Sequence, residues 1–329
     1  MTQPQDEKGP LIFGFDRVGA DVSAIDWKTL QASQAEPSNG LRWIHLNRLD
    51  PEAREWAENQ AGLDPFIVDA LFREDTRPRA LRHGEGWLVN LRGINLNPGP
   101  QPDTMIALRV WMTRGLVLTM RAYKIRAAED LATAFESGKA PDTAGSIIAF
   151  LADRLTARLD DVIGALGDGV DELEERLLDG DSSVLKTDLA KLRRQAVAIR
   201  RYMSPQREAL ITLASDSENF FSQTEKQALR EVLDSLARVT EDLEAARDRA
   251  QLVQDQIAER RGEEMNQRLF VLAIISAVFL PLGFLTGLFG VNVGGMPGVD
   301  SSVAFTLLSL AMAGCAVGLL ALFKRIGWM

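Results

Sequence analysis

The stretch Gly290-Val291-Asn292-Val293-Gly294-Gly295-Met296-Pro297-Gly298 lies between two apolar runs, Leu269 to Phe289 and Val303 to Phe323. Neither run contains Asp, Glu, Lys or Arg. At about 20 residues each, the runs are long enough to cross a hydrocarbon layer of roughly 30 Å as helices. The sequence therefore predicts a membrane protein with two transmembrane helices joined by a short glycine-rich loop.

Basic residues lie before the first run and after the second, but not in the loop between them. They precede the first run at Arg260, Arg261 and Arg268 and follow the second at Lys324 and Arg325, whereas the loop has none. Because Lys and Arg are retained on the cytoplasmic side, both termini are expected to be cytoplasmic and the loop at 290–302 external. We expect a multi-pass protein of the inner (plasma) membrane. Residues 1–10 have no apolar stretch and are expected to form a flexible leader.

Composition and motif content limit the classes of function that the protein can have. The 329 residues carry a net charge of −9, which argues against a nucleic-acid partner and suits a cation. The chain has one cysteine, Cys315, and two histidines, His45 and His83, so no pattern for a tight zinc site exists. Any zinc is expected to be held weakly, through oxygen ligands and water. No nucleotide-binding or hydrolase motif is present, and we expect a protein that is not an enzyme and has no tightly bound cofactor.

The part of the chain before the membrane runs divides into two patterns. Residues 11–143 mix short strands and helices, which predicts an α/β domain. Leu11 to Phe15 and Leu41 to Leu46 are predicted strands, and Pro51 to Gln60 and Pro65 to Phe72 are predicted helices that begin with proline in the first turn. Hairpins are predicted where Gly84-Glu85-Gly86 and Thr113-Arg114-Gly115 separate strand-like segments. His45, on an apolar strand, is expected to be a hydrogen-bonded core or interface residue.

From Ala144 onward the pattern is helical. Residues 144–222 predict two long antiparallel helices, with a bend near Pro205, and residues 223–289 predict one helix on the order of 100 Å long that continues into the first transmembrane helix. In this third helix, apolar residues recur every three or four positions in a heptad seam: Leu229, Val232, Leu236, Val239, Leu243, Ala246, Ala250, Val253 and Ile257. The second transmembrane helix is predicted at 303–323, and 324–329 form a cytoplasmic tail. The fold class is thus an α+β membrane protein with an N-terminal α/β domain, a helical stalk and two C-terminal transmembrane helices.

Gly290-Val291-Asn292 resembles the Gly-Met-Asn signature of CorA-type divalent cation transporters, with Val in place of Met. Its position between two C-terminal spans, after a long charged helix, strengthens the resemblance. Further stretches are similar to the ZntB zinc-transporter branch of that family: Trp43-Ile44-His45-Leu46-Asn47, Asp75-Thr76-Arg77-Pro78-Arg79, Leu91-Arg92-Gly93-Ile94-Asn95-Leu96-Asn97-Pro98-Gly99 and Phe279-Leu280-Pro281-Leu282-Gly283-Phe284-Leu285-Thr286-Gly287. The resemblance covers nearly the whole chain.

The resemblance implies a homopentamer that transports a divalent cation, Zn²⁺ first, through a central pore in the lipid bilayer, with proton-coupled uptake as a further implication. Gly290, Val291 and Asn292 would form the selectivity loop. Counting back from Asn292 places a polar ring at Asn266 and apolar constrictions at Leu269 and Leu272. Helical turns from Asn266 pass through Leu269, Ala273, Ser276 or Ala277, Leu280 and Gly283. The pore-lining and gating set is therefore Asn266, Leu269, Leu272, Ala273, Leu280 and Gly283. The candidate metal-contacting residues are Asp255 at an inner site, Asn292 in the loop, and Asp300, the one acid of that loop.

Each of these interpretations has an alternative. The small residues around Gly283 and Gly287, and around Gly314 and Gly318, form G-x-x-x-G motifs that are typical of close helix packing. Asp255 could be a solvated charge beside Arg249 or Glu259. Nine acids between Asp160 and Asp181, with Arg176 as the one base among them, fit either a cation-concentrating rim or a solvated hairpin tip. The whole protein could be a membrane-anchored coiled-coil scaffold or sensor without conduction.

Overall fold

The structure is a computed structural model that describes residues 9–74, 77–98, 104–178, 185–291, 298 and 301–327. The chain divides into two compact units, one ending at Gln254 and one beginning at Asp255. The strands are β1 Leu11–Val18, β2 Asp21–Ala24, β3 Leu41–Asn47, β4 Arg79–His83, β5 Gly86–Ile94, β6 Met105–Met112 and β7 Leu116–Arg121. The helices are α1 Trp27–Gln31, α2 Pro51–Asn59, α3 Pro65–Phe72, α4 Arg126–Glu136, α5 Ala144–Leu178, α6 Leu185–Ala214, α7 Gln223–Gly290 and α8 Ala304–Arg325.

The first unit is built on one seven-stranded sheet with the order β2-β1-β3-β7-β6-β5-β4. Every neighbouring pair is antiparallel except β3 and β7, which run parallel. Both predicted hairpins are present. The turn between β4 and β5 places Gly84 at φ +54°, a left-handed conformation that glycine adopts without a steric penalty.

Alternation along β3 separates two buried layers. Ile44 and Leu46 join the apolar cluster beneath α2 and α3, while Trp43 stacks on Phe135 of α4, with ring centroids 5.4 Å apart, on the opposite face. Helices α2 and α3 start where the sequence predicts, because Asp50 and Asp64 cap them and proline occupies the first helical position. Strand β2 and helices α1 and α4 had no predicted counterpart.

His45 is a hydrogen-bonded core residue, as predicted. It is fully buried, and its Nδ1 lies 2.8 Å from the hydroxyl of Thr119. Thr119 donates its one proton to the carbonyl of Ile44, so Nδ1 of His45 must be the donor. Burial lowers the pKa of His45 to about 3, because the imidazolium would lose its hydration.

Helices α5, α6 and α7 pack together in the first unit. Arg249 of α7 forms an ion pair with Asp171 of α5, and Arg200 of α6 lies 3.4 Å from Glu244 of α7. The seam residues of α7 from Leu229 to Val253 are each at most 4% exposed. The apolar side of this seam is therefore buried within a single chain.

Glu225 joins the first turns of α5 and α7. Its carboxylate accepts the backbone N–H of Ser222 at 2.6 Å, while Ser222 accepts the backbone N–H of Glu225, which is a capping box. The same carboxylate accepts the hydroxyl of Thr143, the residue before α5. Burial raises the pKa of Glu225, but the hydrogen bonds from Thr143, Ser222 and Ser146 outweigh burial, so its pKa lies below the usual 4.5.

Glu225→Gln should destabilise the first unit by roughly 1–2 kcal/mol at pH 7, because a capping carboxylate with charge-assisted hydrogen bonds is lost. A lowered folded-state pKa contributes stability above the unfolded value and loses it as pH falls through the folded value. The deficit of the variant should therefore shrink below about pH 4.5. Thermal unfolding followed by tryptophan fluorescence measures this, with the exposed Asp234→Asn on the same helix as the control. Equal melting of wild type and Glu225→Gln at pH 7 would contradict it.

Candidate functional site

The second unit contains the two candidate membrane spans. Within the described residues, the apolar part of α7 and the whole of α8 are long and apolar enough to cross a membrane, with mean hydropathies of 2.5 and 2.2. The residues of α8 are exposed or only half-buried, as are those of α7 from Leu269 onward. Large apolar side chains such as Leu280, 75% exposed, and Phe305, 81% exposed, would not remain in water. A bilayer or further copies of the chain must cover them.

One side of α7 faces α8. The half-buried residues of α7 in the span fall on a single stripe: Ile274, Val278, Pro281, Leu282 and Leu285. The half-buried residues of α8 form a matching stripe: Ala304, Leu308, Met312, Cys315, Ala316, Leu319 and Phe323. Because partial burial in this unit comes from the neighbouring helix, the two spans pack along these stripes.

The predicted pore residues lie on the other side of α7. At about 100° per residue, the stripe through Asn266, Leu269, Ala273, Leu280 and Gly283 is centred roughly 150° from the stripe that faces α8, and Leu272 flanks it. All six residues are exposed, Leu269 at 57% and Leu272 at 59%. We call this stripe, with Leu272 included, the free face of α7. The chain leaves the whole predicted pore lining uncovered, as a surface shared between copies would require.

Ser276 also lies on the free face, and the sequence named it only as an alternative to Ala277. Its hydroxyl donates to the carbonyl of Leu272 at 2.8 Å, so its lone pairs stay available to an outside donor. Counting helical angles favours Ser276 over Ala277, which lies about 100° further round.

The selectivity loop is described only at its start. Gly290 ends α7, and the side chain of Val291 is 53% exposed. Asn292 and Asp300, the two loop residues assigned to the cation, lie outside the described residues. Their roles remain predictions from the sequence.

The glycine motifs do not pack the two spans of one chain together. A Cβ added at Gly283, Gly287, Gly314 or Gly318 would meet no atom within 4 Å. Gly283 and Gly287 lie on the side of α7 away from α8. If these motifs allow close helix approach, the approaching helix belongs to another copy.

Asp255 is exposed at the start of the second unit. Arg249, one of its two expected neighbours, forms its ion pair with Asp171 instead. Among the described residues, no group of three His, Cys, Asp or Glu side chains could hold a metal ion. A cation at Asp255 would therefore need ligands from other copies or from water.

Basic residues near the acidic run of α5 come from α7 as well as from α5 itself. The sequence alone showed only Arg176 among these acids. Asp171 pairs with Arg249, whereas Asp168, Glu172 and Glu175 are exposed. Asp179 and Asp181 lie outside the described residues.

Comparison with known proteins gives consistent matches over the whole chain. The family model described as CorA-like Mg²⁺ transporter protein matches residues 38–325. The chain is 39% identical over 335 residues to the divalent cation transporter CmaX of Pseudomonas aeruginosa, covering 98% of both proteins. It is 32% identical over 287 residues to the zinc transport protein ZntB of Yersinia enterocolitica, covering 87% of this chain and 88% of ZntB. The structure of full-length CmaX superposes with a TM-score of 0.83 at 35% identity, covering 99% of this chain and 100% of CmaX.

Proposed function

Because the chain belongs to the CorA family of divalent cation transporters, we propose that it moves Zn²⁺ across the inner membrane through a pore at the centre of a homopentamer. The relatives carry the names of a divalent cation transporter and of zinc transport proteins. The names disfavour the alternative of a coiled-coil scaffold or sensor without conduction. They also support the expectation that the protein is a transporter and not an enzyme.

The free face of α7 is the observation that supports a pore most directly. A helix that served only as an anchor needs only apolar side chains toward lipid, whereas this side of α7 carries the polar Asn266 and the small residues Ala273 and Gly283. Five copies of the free face around an axis would give a polar entrance at Asn266, a narrow apolar segment at Leu269 and Leu272, and a wider outer half near Gly283. Apolar constrictions of this kind gate by dewetting.

The mechanism begins at the loop. The carboxamide oxygen of Asn292 would accept hydrogen bonds from the water shell of the cation, and the flanking glycines would present backbone carbonyls to the same ion. Retained water suits hard ions bound without a full protein cage. Asp300 would raise the local cation concentration, and Asp255 would contribute to an inner cation site.

Proton coupling is implied only by the family resemblance. Neither apolar run contains Asp, Glu, Lys, Arg or His, so the spans provide no carboxylate, amine or imidazole as a proton carrier. A coupled proton would have to travel on water or on groups outside the spans.

Reconstitution in liposomes loaded with a zinc-sensitive dye tests the proposed function. We expect zinc influx that depends on the protein, with Mg²⁺, Co²⁺ and Ni²⁺ compared in parallel and each ion measured at two pH gradients. Mass measurement in detergent should give about 180 kDa, five chains of 36.2 kDa. A correctly folded pentamer that moves none of the four ions would favour the scaffold, and a monomer or dimer would remove the ring.

The predicted topology is tested with a cysteine at Ser301, an exposed residue three positions before the start of α8. In a Cys315→Ala background, Ser301→Cys should react with an impermeant thiol reagent in intact cells, because the loop is expected outside. Ser137→Cys, exposed in the α/β domain, is the matched control and should react only after lysis. The reverse pattern would contradict the orientation.

A further inference from the structure

An assembly of identical chains needs contact surfaces outside the membrane that are not already buried within each chain. The seam of α7 is unavailable because α5 and α6 bury it within the chain. The outward sides of α5 and α6 are uncovered, and they differ sharply in charge. Helix α5 carries eight Asp or Glu and three Arg, a net charge of −5, whereas α6 carries seven Lys or Arg and two acids, a net charge of +5.

The acids of α5 concentrate on one outward stripe. Asp161, Asp168, Glu172 and Glu175 are spaced i, i+7, i+11 and i+14, so they share one side of the helix. That side is opposite the one that buries Leu166 and Val170, and all four acids are exposed. Within the described residues none of the four forms an ion pair. We call these four residues the acidic stripe.

Helix α6 has a corresponding basic stripe of Lys191, Arg194 and Arg201, all exposed. The carboxylate nearest to Lys191 is Asp188 on its own helix, at 3.2 Å. The Nε of Arg194 donates to the backbone carbonyl of Ala190. The guanidinium of Arg201 lies over the ring of Tyr202, 4.6 Å from its centroid. Within the described residues, no ion pair joins α5 to α6 in the same chain.

The two stripes match in height along the hairpin. A Cβ on Gly169 would lie 3.4 Å from Leu192, which sets the level at which α5 and α6 pass each other. Because α5 and α6 run antiparallel, later positions on α5 lie beside earlier positions on α6. Glu172 is therefore level with Lys191, Asp168 with Arg194, and Asp161 with Arg201. The levels agree within about two residues, or roughly 3 Å at 1.5 Å per residue.

We propose that the acidic stripe of α5 docks on the basic stripe of α6 of a neighbouring copy of the chain. This inference rests on the proposed assembly of identical copies around a pore. A rotation about an axis along the hairpin preserves height, so each acid meets the cation at its own level. The contact joins two different surfaces, and such head-to-tail contacts close into rings when the rotation closes. Complementary charge sets the register and orientation of such a contact.

Cross-linking between copies tests the contact directly. In the Cys315→Ala background, copies with Asp168→Cys are co-expressed with differently tagged copies that carry Arg194→Cys, so that a short bismaleimide can link the two tags only between chains. We expect a linked dimer. The control replaces Arg194→Cys with Glu208→Cys, which is exposed on the same helix but roughly 21 Å further along it, and should give no link.

Charge reversal supplies the second arm, with cross-linking measured through Asp161→Cys and Arg201→Cys copies. Adding Glu172→Lys to the α5 partner should lower the linked fraction about tenfold, since like charges across an interface repel. Adding Lys191→Glu to the α6 partner as well should restore the linked fraction, and rising salt should weaken it because these charges are exposed.

The outcomes separate this inference from the proposed function. No link between Asp168→Cys and Arg194→Cys in a pentamer that still moves zinc would overturn the docking contact and leave the pore intact. Equal links with the Glu208→Cys control would also overturn it, because the contact would then have no register. A monomeric protein without flux would overturn both.

Discussion

Asn292→Ala is expected to abolish zinc flux while the mass of the assembly and its melting temperature stay unchanged. The carboxamide is the one polar side chain of the Gly290-Val291-Asn292 signature, and as many copies as there are chains would meet each cation at once. A hydrogen bond that involves a charged partner contributes roughly 1.5–3 kcal/mol, so losing several together should reduce cation occupancy of the loop by orders of magnitude. Liposome influx of zinc, normalised to assembled protein, measures the loss.

Two variants in the same loop serve as controls for Asn292→Ala. Val293→Ala changes the neighbouring residue without removing a polar group, and should transport normally. Asp300→Asn should lower uptake only at low ionic strength, because the Asp300 carboxylate would act by concentrating cations and salt screens that effect. Zinc flux at the original rate in a correctly assembled Asn292→Ala protein would mean that the signature is structural in this chain.

The regular elements could be predicted from the sequence because local signals were strong. Asp50-Pro51 and Asp64-Pro65 mark helix starts by capping and fixed φ, and Gly84 marks a tight turn. Strand β2 was missed because its four residues, Asp21–Ala24, lie at the sheet edge without apolar alternation. Helix α4 was missed because Ile125 offers no side-chain cap and much of its buried side is alanine.

The sequence predicted which side of a helix is buried more easily than which element covers that side. The α7 seam has the periodicity of a coiled coil, and that periodicity is the same whether the partner is another copy or the chain's own α5 and α6. Burial at Leu236 and Leu243 within one chain decides the question, and no sequence pattern could have done so. The free face of α7 shows the reverse case. Spacing placed Asn266, Leu269 and Leu280 together, but only the position of α8 shows that none of the described residues covers them.

Leu269→Ser is expected to raise basal zinc flux several-fold. Leu269 lies one turn from Asn266 on the free face of α7, and its side chain is 57% exposed. In a ring of five, these side chains would form a narrow apolar segment that empties of water and blocks ions, and a hydroxyl in their place would keep the segment wet. Flux measured without an imposed pH gradient reports the basal leak, and mass measurement confirms assembly.

Val271→Ser is the matched control for Leu269→Ser. Val271 is similarly exposed, at 51%, and lies only about 3 Å further along α7, but it points roughly 160° away from Leu269. Both variants introduce the same hydroxyl at nearly the same depth and differ in the side of the helix that receives it. A gate on the free face therefore predicts a leak for Leu269→Ser alone. Equal flux from the two assembled variants, whether raised or unchanged, would place the constriction elsewhere, because the response would then not depend on which side of α7 is altered.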